Sequence, residues 1–544
     1  MKKTIKKYVT LLLMVMSNLI VLSSNAQQSP YHQVYQYSVM VGSSRAYLWI
    51  PPDCKRVRAV IIALNNLTER MWLEDPLIRK TASEEGLGII WVGPPKNKNE
   101  ELLNANMSGN SGEALIKMLH DFANVSGYQE IARAPIIPTG HSAHGHFSWN
   151  VANWNQDRVV AVIAIKTIPL PDSFRFRNIP VLYMVGQTTE WPQYRDGSKP
   201  GDRDFYWPVV RAGAIALRSQ NQNNLVGVLT DPGGGHFDWS DRLAKFLSLY
   251  IKKACEYRIP ADEYVGKTPV KLKKILPQSG WLTGNEGMNK GKYTPAPYSQ
   301  YKGNPDSAYW FFDKETTEAA ARFEGDRDAR KKQMLTIVQN GRLLNVTKYG
   351  FAPVRFQPDG DGVTFHLKGA FLKTVPAELI GSGDTLGNAG GNIKFYIITG
   401  PAVQTGPSTF KVQFDRSGYG SIWIEETVDG NKEYRHAVQP VKIDIPENLL
   451  QGKPQSINFP DIADQKKGIR TLVLNATASS GLPVQYCVVS GPAVVVGDTL
   501  HFTKIPKRSK YPVKVMISAY QWGSIYAPLY QRALPITKAF YITE

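Results

Sequence analysis

Between Tyr37 and Ile251 short runs of uninterrupted apolar residues alternate with stretches whose apolar positions recur every three or four residues. That is the pattern of buried strands separated by amphipathic helices. Strands are expected over 37–41 and 45–50 as an opening pair, then over 59–64, 88–93, 134–139, 159–165, 180–186 and 225–229. Helices are expected over about 71–85, 112–125, 144–153 and, closing the region, 241–255. A helix returning between successive strands forces those strands to run parallel, so residues 27–258 are expected to form an α/β domain on a mainly parallel sheet.

Past Tyr257 this alternation stops, and Pro, Gly, Lys and aromatic residues dominate to Tyr301. A short helix over 314–323 and a strand over 334–338 make residues 259–350 a small ordered connector packed on the first domain rather than a free linker. The remainder repeats itself. Phe395-Tyr-Ile-Ile-Thr-Gly-Pro-Ala-Val403 matches Tyr486-Cys-Val-Val-Ser-Gly-Pro-Ala-Val494, and each copy is followed by an alternating strand, 409–414 and 499–503. A related pair of strands ends each copy, one starting near Tyr434 and the other near Tyr530. Units of roughly 100 residues built from short alternating strands with Gly/Pro turns have the size of an immunoglobulin-like sandwich. Two such modules are expected, 351–447 and 448–544; the second, with Ser480-Gly-Leu-Pro-Val484, resembles the Ig-like repeats of bacterial surface and secreted proteins.

Composition adds a compartment. Lys2, Lys3, Lys6 and Lys7 precede an apolar run from Val9 to Leu22 and the small-residue site Ser24-Asn25-Ala26, so residues 1–26 read as a secretory signal peptide. No cysteine follows the cut and no later stretch is apolar and long enough to span a bilayer, which predicts a soluble periplasmic or secreted protein with no membrane anchor. The formal charge is +18, of which the leader holds four lysines, so the exported chain stays basic. A diffuse positive excess favours anionic partners. With export and no nucleic-acid motif, the expected partner is an acidic polysaccharide or oligosaccharide and not nucleic acid. Cys54 and Cys255 bracket the first domain and stand either as one disulfide or as isolated buried thiols; Cys487 is the third.

The chemistry centres on Pro138-Thr-Gly-His-Ser-Ala-His-Gly145, directly after an apolar strand and before a helix. A tight strand-to-helix turn at Gly-x-Ser lifts a serine Oγ above the sheet edge, which makes Ser142 the candidate nucleophile. His236, in Asp231-Pro-Gly-Gly-Gly-His-Phe-Asp-Trp239 after the last strand, stands where an α/β-hydrolase carries its general base. The acid that orients this base should follow strand 180–186; Glu190 occupies that place, with Asp202, Asp204 and Asp238 as competitors. The oxyanion hole is expected from the amide of Ala143 and from Asn65 or Asn66 in the loop after strand 59–64.

His144 takes the position usually held by the second glycine of the elbow, with Gly145 one residue later. Either the helix packs further out or the His144 ring turns toward the cleft. His141, His144 and His146 lack a carboxylate or cysteine at ligand spacing, so no metal and no cofactor are expected. Trp191, Tyr194, Arg195, Arg203, Trp207 and Trp239 lie on nearby segments. Aromatic faces stack on sugar rings and guanidinium forks pair with uronates, so Trp191, Arg195, Arg203, Trp239 and His144 are the candidate substrate contacts, with core packing as the other reading of the tryptophans. Asp359-Gly-Asp-Gly362 is either a calcium loop or a hairpin turn.

On Gly140-His-Ser-Ala-His-Gly145, the Gly233-Gly-Gly-His236 loop and the leader, the chain resembles the secreted α/β-hydrolase carbohydrate esterases of Bacteroides polysaccharide-degrading systems, especially the pectin methylesterase type that acts on rhamnogalacturonan II. The resemblance covers the hydrolase domain and the plan of a catalytic domain followed by β modules. It implies an esterase with Ser142 as nucleophile, His236 as base and Glu190 in the acid's place, acting on pectin or another complex plant glycan. Methyl-ester cleavage, deacetylation and glycan binding without catalysis all stay open at this point.

Overall fold

The computed structural model describes residues 33–186, 206–261, 269–284, 293–324, 330–347, 350–377, 382–414, 420–445 and 452–544, with the side chains of 206–208 outside that set. Eight strands form the first sheet: β1 (Tyr37–Val41), β2 (Ser44–Trp49), β3 (Ala59–Leu64), β4 (Leu87–Val92), β5 (Ile136–His141), β6 (Val162–Ile165), β7 (Pro180–Gly186) and β8 (Leu225–Asp231). Their order is β1-β2-β4-β3-β5-β6-β7-β8. The first two and β2/β4 pair antiparallel, and every later pair is parallel. This is the sheet of an α/β-hydrolase domain. Strands β3 to β8 are buried along their whole length, which explains their uninterrupted apolar sequence.

Helices α1 (Glu69–Leu73), α2 (Pro76–Glu85), α3 (Ser111–Ser126), α4 (Phe147–Trp154), α5 (Tyr206–Gln220) and α6 (Asp241–Arg258) connect and cover the sheet. The single helix expected over 71–85 is two. Pro76 has no amide hydrogen to continue the first helix, and Asp75 instead caps the second by accepting from the amides of Leu77 and Ile78. Cys54 and Cys255 are buried and free.

The connector lies on this domain. Tyr309–Phe311 pairs with Trp281–Thr283, which also pairs with Ala296–Pro297, and the carbonyl of Trp310 crosses so close to Gly227 of β8 that a Cβ there would stand 2.7 Å from it. The buried Arg218 of α5 donates to the carbonyls of Pro305 and Ala308. Leu335–Gln339, expected in the connector, pairs with Gly369–Phe371 and so lies in a sheet with the first β module.

The two β modules are sandwiches with the same plan. In the first, a four-stranded sheet ordered Ala352–Arg355, Ala437–Asp444, Ile422–Val428, Lys394–Thr399 faces a three-stranded one ordered Thr364–His366, Thr409–Val412, Ala402–Gln404. In the second the corresponding orders are Gln465–Lys466, Ile536–Thr543, Val513–Tyr520, Gln485–Ser490 and Thr471–Val473, Thr499–Phe502, Ala493–Val496. Each four-stranded sheet is antiparallel except for one parallel edge pair. The register shifts at the same place in both copies, between Ile397 and Thr399 and between Val488 and Ser490, just before the shared Gly-Pro. The Asp359–Gly362 segment is a hairpin turn: Asp361 accepts from the amides of Val363 and Thr364, and Asp359 holds His366 Nε2 at 2.9 Å.

Both modules fold back onto the first domain. The second meets β1 and α3: the amide of Gly491 donates to Tyr35, Lys510 donates to Ser126, and Arg508 reaches Glu130 at 2.9 Å over the Tyr128 ring. One apolar core runs from the parallel sheet into this module.

Candidate active site

The elbow is built as the spacing of Gly140 and Ser142 requires. Ser142 follows β5 with φ at 54°, a left-handed conformation that costs a non-glycine residue about 1–2 kcal/mol. A single 3-10 turn, Ser142–His144, separates it from α4. Gly140 has no room for a Cβ, which would stand 2.3 Å from the His144 carbonyl. At Gly145 a Cβ would stand 2.2 Å from Cβ of Thr167, so the close-approach glycine of this elbow sits one residue later than usual. Thr167 donates its hydroxyl to the Ser142 carbonyl at 2.5 Å and fixes the turn from β6.

The displacement places His144 on the edge of the turn, half-buried, its ring against the carbonyls of Leu64 and Asn65, with its pKa lowered by burial. His146 bonds Asn106 at 2.9 Å through Nε2. His141 is buried and donates from Nε2 to the carbonyl of His236 at 2.7 Å. These three histidines have separate partners, and among the described residues no group of three or more His, Cys, Asp or Glu gathers as metal ligands.

His236 arrives from the loop after β8. Its Nε2 lies 2.8 Å from Ser142 Oγ, and both residues are buried. Burial, reinforced by the positive Lys166, holds the imidazole well below its usual pKa and leaves it neutral, the state in which Nε2 can accept the serine proton. Gly233 takes φ at 76°, and a Cβ on Gly234 would stand 2.0 Å from Asp231 Oδ2, so the glycine run is required by geometry as well as by flexibility.

The other expected members of the site fare differently. Glu190, Trp191, Arg195 and Arg203 lie outside the described residues, as do Asp202 and Asp204. Asp238, weighed as an alternative acid, turns its carboxylate to Lys166 at 4.0 Å and His436 at 3.5 Å. Trp239 is a correction: it is buried, with its indole donating to Asp75 at 3.0 Å, so it packs at a domain junction and offers no face to a sugar. The oxyanion loop needs correction too. The amide of Asn65 donates to Val92 at 2.8 Å and that of Asn66 to Glu69 Oε2 at 2.8 Å, so both are committed elsewhere. Ala143, next to Ser142, is exposed on the turn.

Several ionisable groups escaped sequence reasoning. Glu69 is wholly buried at the start of α1 and accepts from the amides of Asn66 and His141, tying the loop after β3 to the foot of the elbow. Burial pushes its carboxyl up to about 7 against the pull of those amides. Lys166, fully buried at φ 44°, donates to Asp231 Oδ2 at 3.1 Å and to the Asp238 carbonyl at 3.0 Å. Removing one partner of such a pair strands a buried charge, at about 3–5 kcal/mol. The first β module adds Glu425 and His436 to this set. A signal existed for Glu425: Ile422-Trp-Ile-Glu-Glu-Thr-Val428 places two adjacent acids in an apolar strand, so at least one must face inward.

No protein-family model matches the chain, and no curated protein does. Among solved structures it is similar to an S-formylglutathione hydrolase from Agrobacterium tumefaciens, 14% identical over 41% of this chain and 99% of that one, with a TM-score of 0.28. A dienelactone hydrolase from Anabaena variabilis is 16% identical over 43% of this chain and all of the other, with a TM-score of 0.29. An acetyl xylan esterase from Aspergillus awamori is 14% identical over 24% of this chain and 52% of the other, with a TM-score of 0.20.

Proposed function

We propose that this protein is a serine carboxylic-ester hydrolase that removes methyl groups from galacturonate esters in an acidic plant polysaccharide. The observation that carries the esterase reading is the 2.8 Å approach of His236 Nε2 to the oxygen of a serine held on a strained elbow. Ser142 donates its hydroxyl hydrogen to Nε2 as Oγ attacks the ester carbonyl. The amide of Ala143 is the proposed donor to the resulting oxyanion. The protonated His236 then gives its proton to the leaving methoxide, and methanol departs. Water, deprotonated by the same nitrogen, attacks the acyl-enzyme and releases the uronate and Ser142. Glu190 is the proposed acid that orients His236.

An anionic substrate is supported by the seam between the second module and the first domain. A cavity of about 340 Å³ is lined by Lys467, Lys504, Lys507 and Tyr511 against Pro52 and Asp53, with Lys507 pairing with Asp53 at 3.0 Å, and a neighbouring one of about 450 Å³ by Lys510, Lys514 and the same Tyr511 against Tyr37 of β1. Lysines beside an aromatic face suit a chain of uronates. Export of the chain rests on the lysine-led apolar segment within residues 1–26. Among the described residues no helix is long and apolar enough to cross a membrane.

The test is to supply purified protein with methyl-esterified pectin and with acetylated xylan and to assay methanol and acetate. Methanol release that disappears in Ser142→Ala supports the proposal. Acetate alone would make the protein a deacetylase, and neither product from either substrate would leave a glycan-binding protein without this catalysis.

A further inference from the structure

We propose that the first β module is a working part of the catalytic centre, in which Trp423, Glu425 and His436 act as positioning residues that hold the loop carrying His236. The inference rests on Ser142 and His236 being nucleophile and base.

The loop from Asp231 to Trp239 contains three successive glycines, which give it no side-chain packing of its own before the histidine. Its rigidity has to come from neighbours. Part of it comes from β5, through the His141 bond to the His236 carbonyl. More comes from Lys166, which donates to Asp231 and to the Asp238 carbonyl, and from Asp75, which accepts from the Trp239 indole, and the rest from a strand pair almost two hundred residues further along the chain. The carbonyl of His436 lies so close over Gly233 that a Cβ there would stand 1.8 Å from it. Trp423 meets Phe237 with ring centres 5.2 Å apart, and Phe237 in turn stands edge-on to His236 at 4.7 Å. Glu425 Oε2 accepts from the amide of Trp239 at 3.2 Å. His436 Nε2 faces Asp238 Oδ2 at 3.5 Å, beyond which Lys166 bridges to Asp231. Module contacts thus fall on both sides of His236, at Gly233 and at 237–239.

The chemistry of this junction argues against simple adhesion. Taking several ionisable groups out of water is unfavourable, and apolar residues of the same size would join two domains at least as well. What such a set supplies is a defined geometry. The groups facing His436 are Asp238, Asp231 and Arg242; those facing Glu425 are Asp238 and Lys166. Burial, with Asp238 adding to it, keeps the Glu425 carboxyl well above the usual carboxylate range. Burial alone would lower His436, but the Asp238 carboxylate raises it. The arrangement therefore favours a protonated Glu425 and a positive His436 facing Asp238, set around the base of the His236 loop.

The test uses the full chain and two readouts: the rate at which a fluorophosphonate labels Ser142, located by mass spectrometry, and kcat and KM for p-nitrophenyl acetate. His436→Ala and Glu425→Ala are expected to lower the labelling rate and kcat about 10- to 100-fold, with KM within about twofold of the wild type. His436→Gln, which keeps a donor toward Asp238, and Glu425→Gln, which keeps an acceptor for the Trp239 amide, are expected to recover most of the loss. Trp423→Ala, at a half-buried surface position, covers the case in which the alanine variants do not fold, and is expected to slow labelling without changing KM. Folded variants that unfold at lower temperature but label Ser142 at the wild-type rate overturn the proposal. Wild-type protein that is never labelled at Ser142 overturns the nucleophile reading instead, and is recognised without any variant.

Discussion

Thr167 occupies the space that a side chain on Gly145 would need, its Cβ 2.2 Å from where that of an alanine would fall. Since the same threonine donates to the Ser142 carbonyl, the elbow cannot yield there without moving Ser142. Gly145→Ala is therefore expected to lower stability by about 1–3 kcal/mol and to reduce ester turnover by at least about tenfold. Pairing it with Thr167→Gly should restore part of the stability, as read by thermal unfolding. A Gly145→Ala protein as stable and active as the wild type would show that the elbow is looser than this contact implies.

Ser142 offers a way to measure strain at the elbow. At φ 54° an L-residue is disfavoured and glycine is not. Ser142→Gly and Ser142→Ala both remove the proposed nucleophile, so both should be inactive. The glycine variant should be the more stable of the two by about 1 kcal/mol by urea denaturation, after allowing for its greater freedom in the unfolded chain. The opposite order would mean that the serine conformation carries no strain.

Glu69 predicts a pH effect. Its folded-state carboxyl, pushed by burial up to about 7 from an ordinary 4.5, favours the protonated form. The associated stability is fully present below the unfolded pKa and is lost as pH rises through the folded one. Wild-type protein should thus lose roughly 2–4 kcal/mol relative to Glu69→Gln between about pH 5 and about pH 8. A gap between the two proteins that stays constant over that range in denaturant titrations would refute the shifted carboxyl.

The lysine-lined seam predicts binding that is separable from turnover. Replacing Lys467, Lys504 and Lys507 together by glutamine should weaken binding to polygalacturonate about 5- to 50-fold and flatten its salt dependence. Hydrolysis of a small neutral ester should be unchanged. Equal retention of wild type and variant in affinity electrophoresis would remove the seam as a contact for the polysaccharide.

The approach of His236 to Ser142 was legible in the sequence because a strand-to-helix turn and a glycine-rich loop after the last parallel strand leave local marks. The internal repeat was legible for the same reason, since its Gly-Pro follows a bulge that both modules keep. Trp239 was not, because a tryptophan beside a catalytic loop has the same sequence whether its indole meets a sugar or Asp75. Nor was the engagement of Asn65 and Asn66, which depends on Val92 and a buried glutamate. Lys166, Glu425 and His436 are ionisable residues brought together by docking of separate domains, and no periodicity records a partner across that distance.

The bond from Gly491 to Tyr35 joins the second β module to the residues just ahead of the strand that opens the first sheet. The two share one apolar core. Until the final hundred or so residues arrive, the face of β1 and α3 that they cover stays open to water. The first domain cut free of the second β module would expose an apolar surface prone to aggregation.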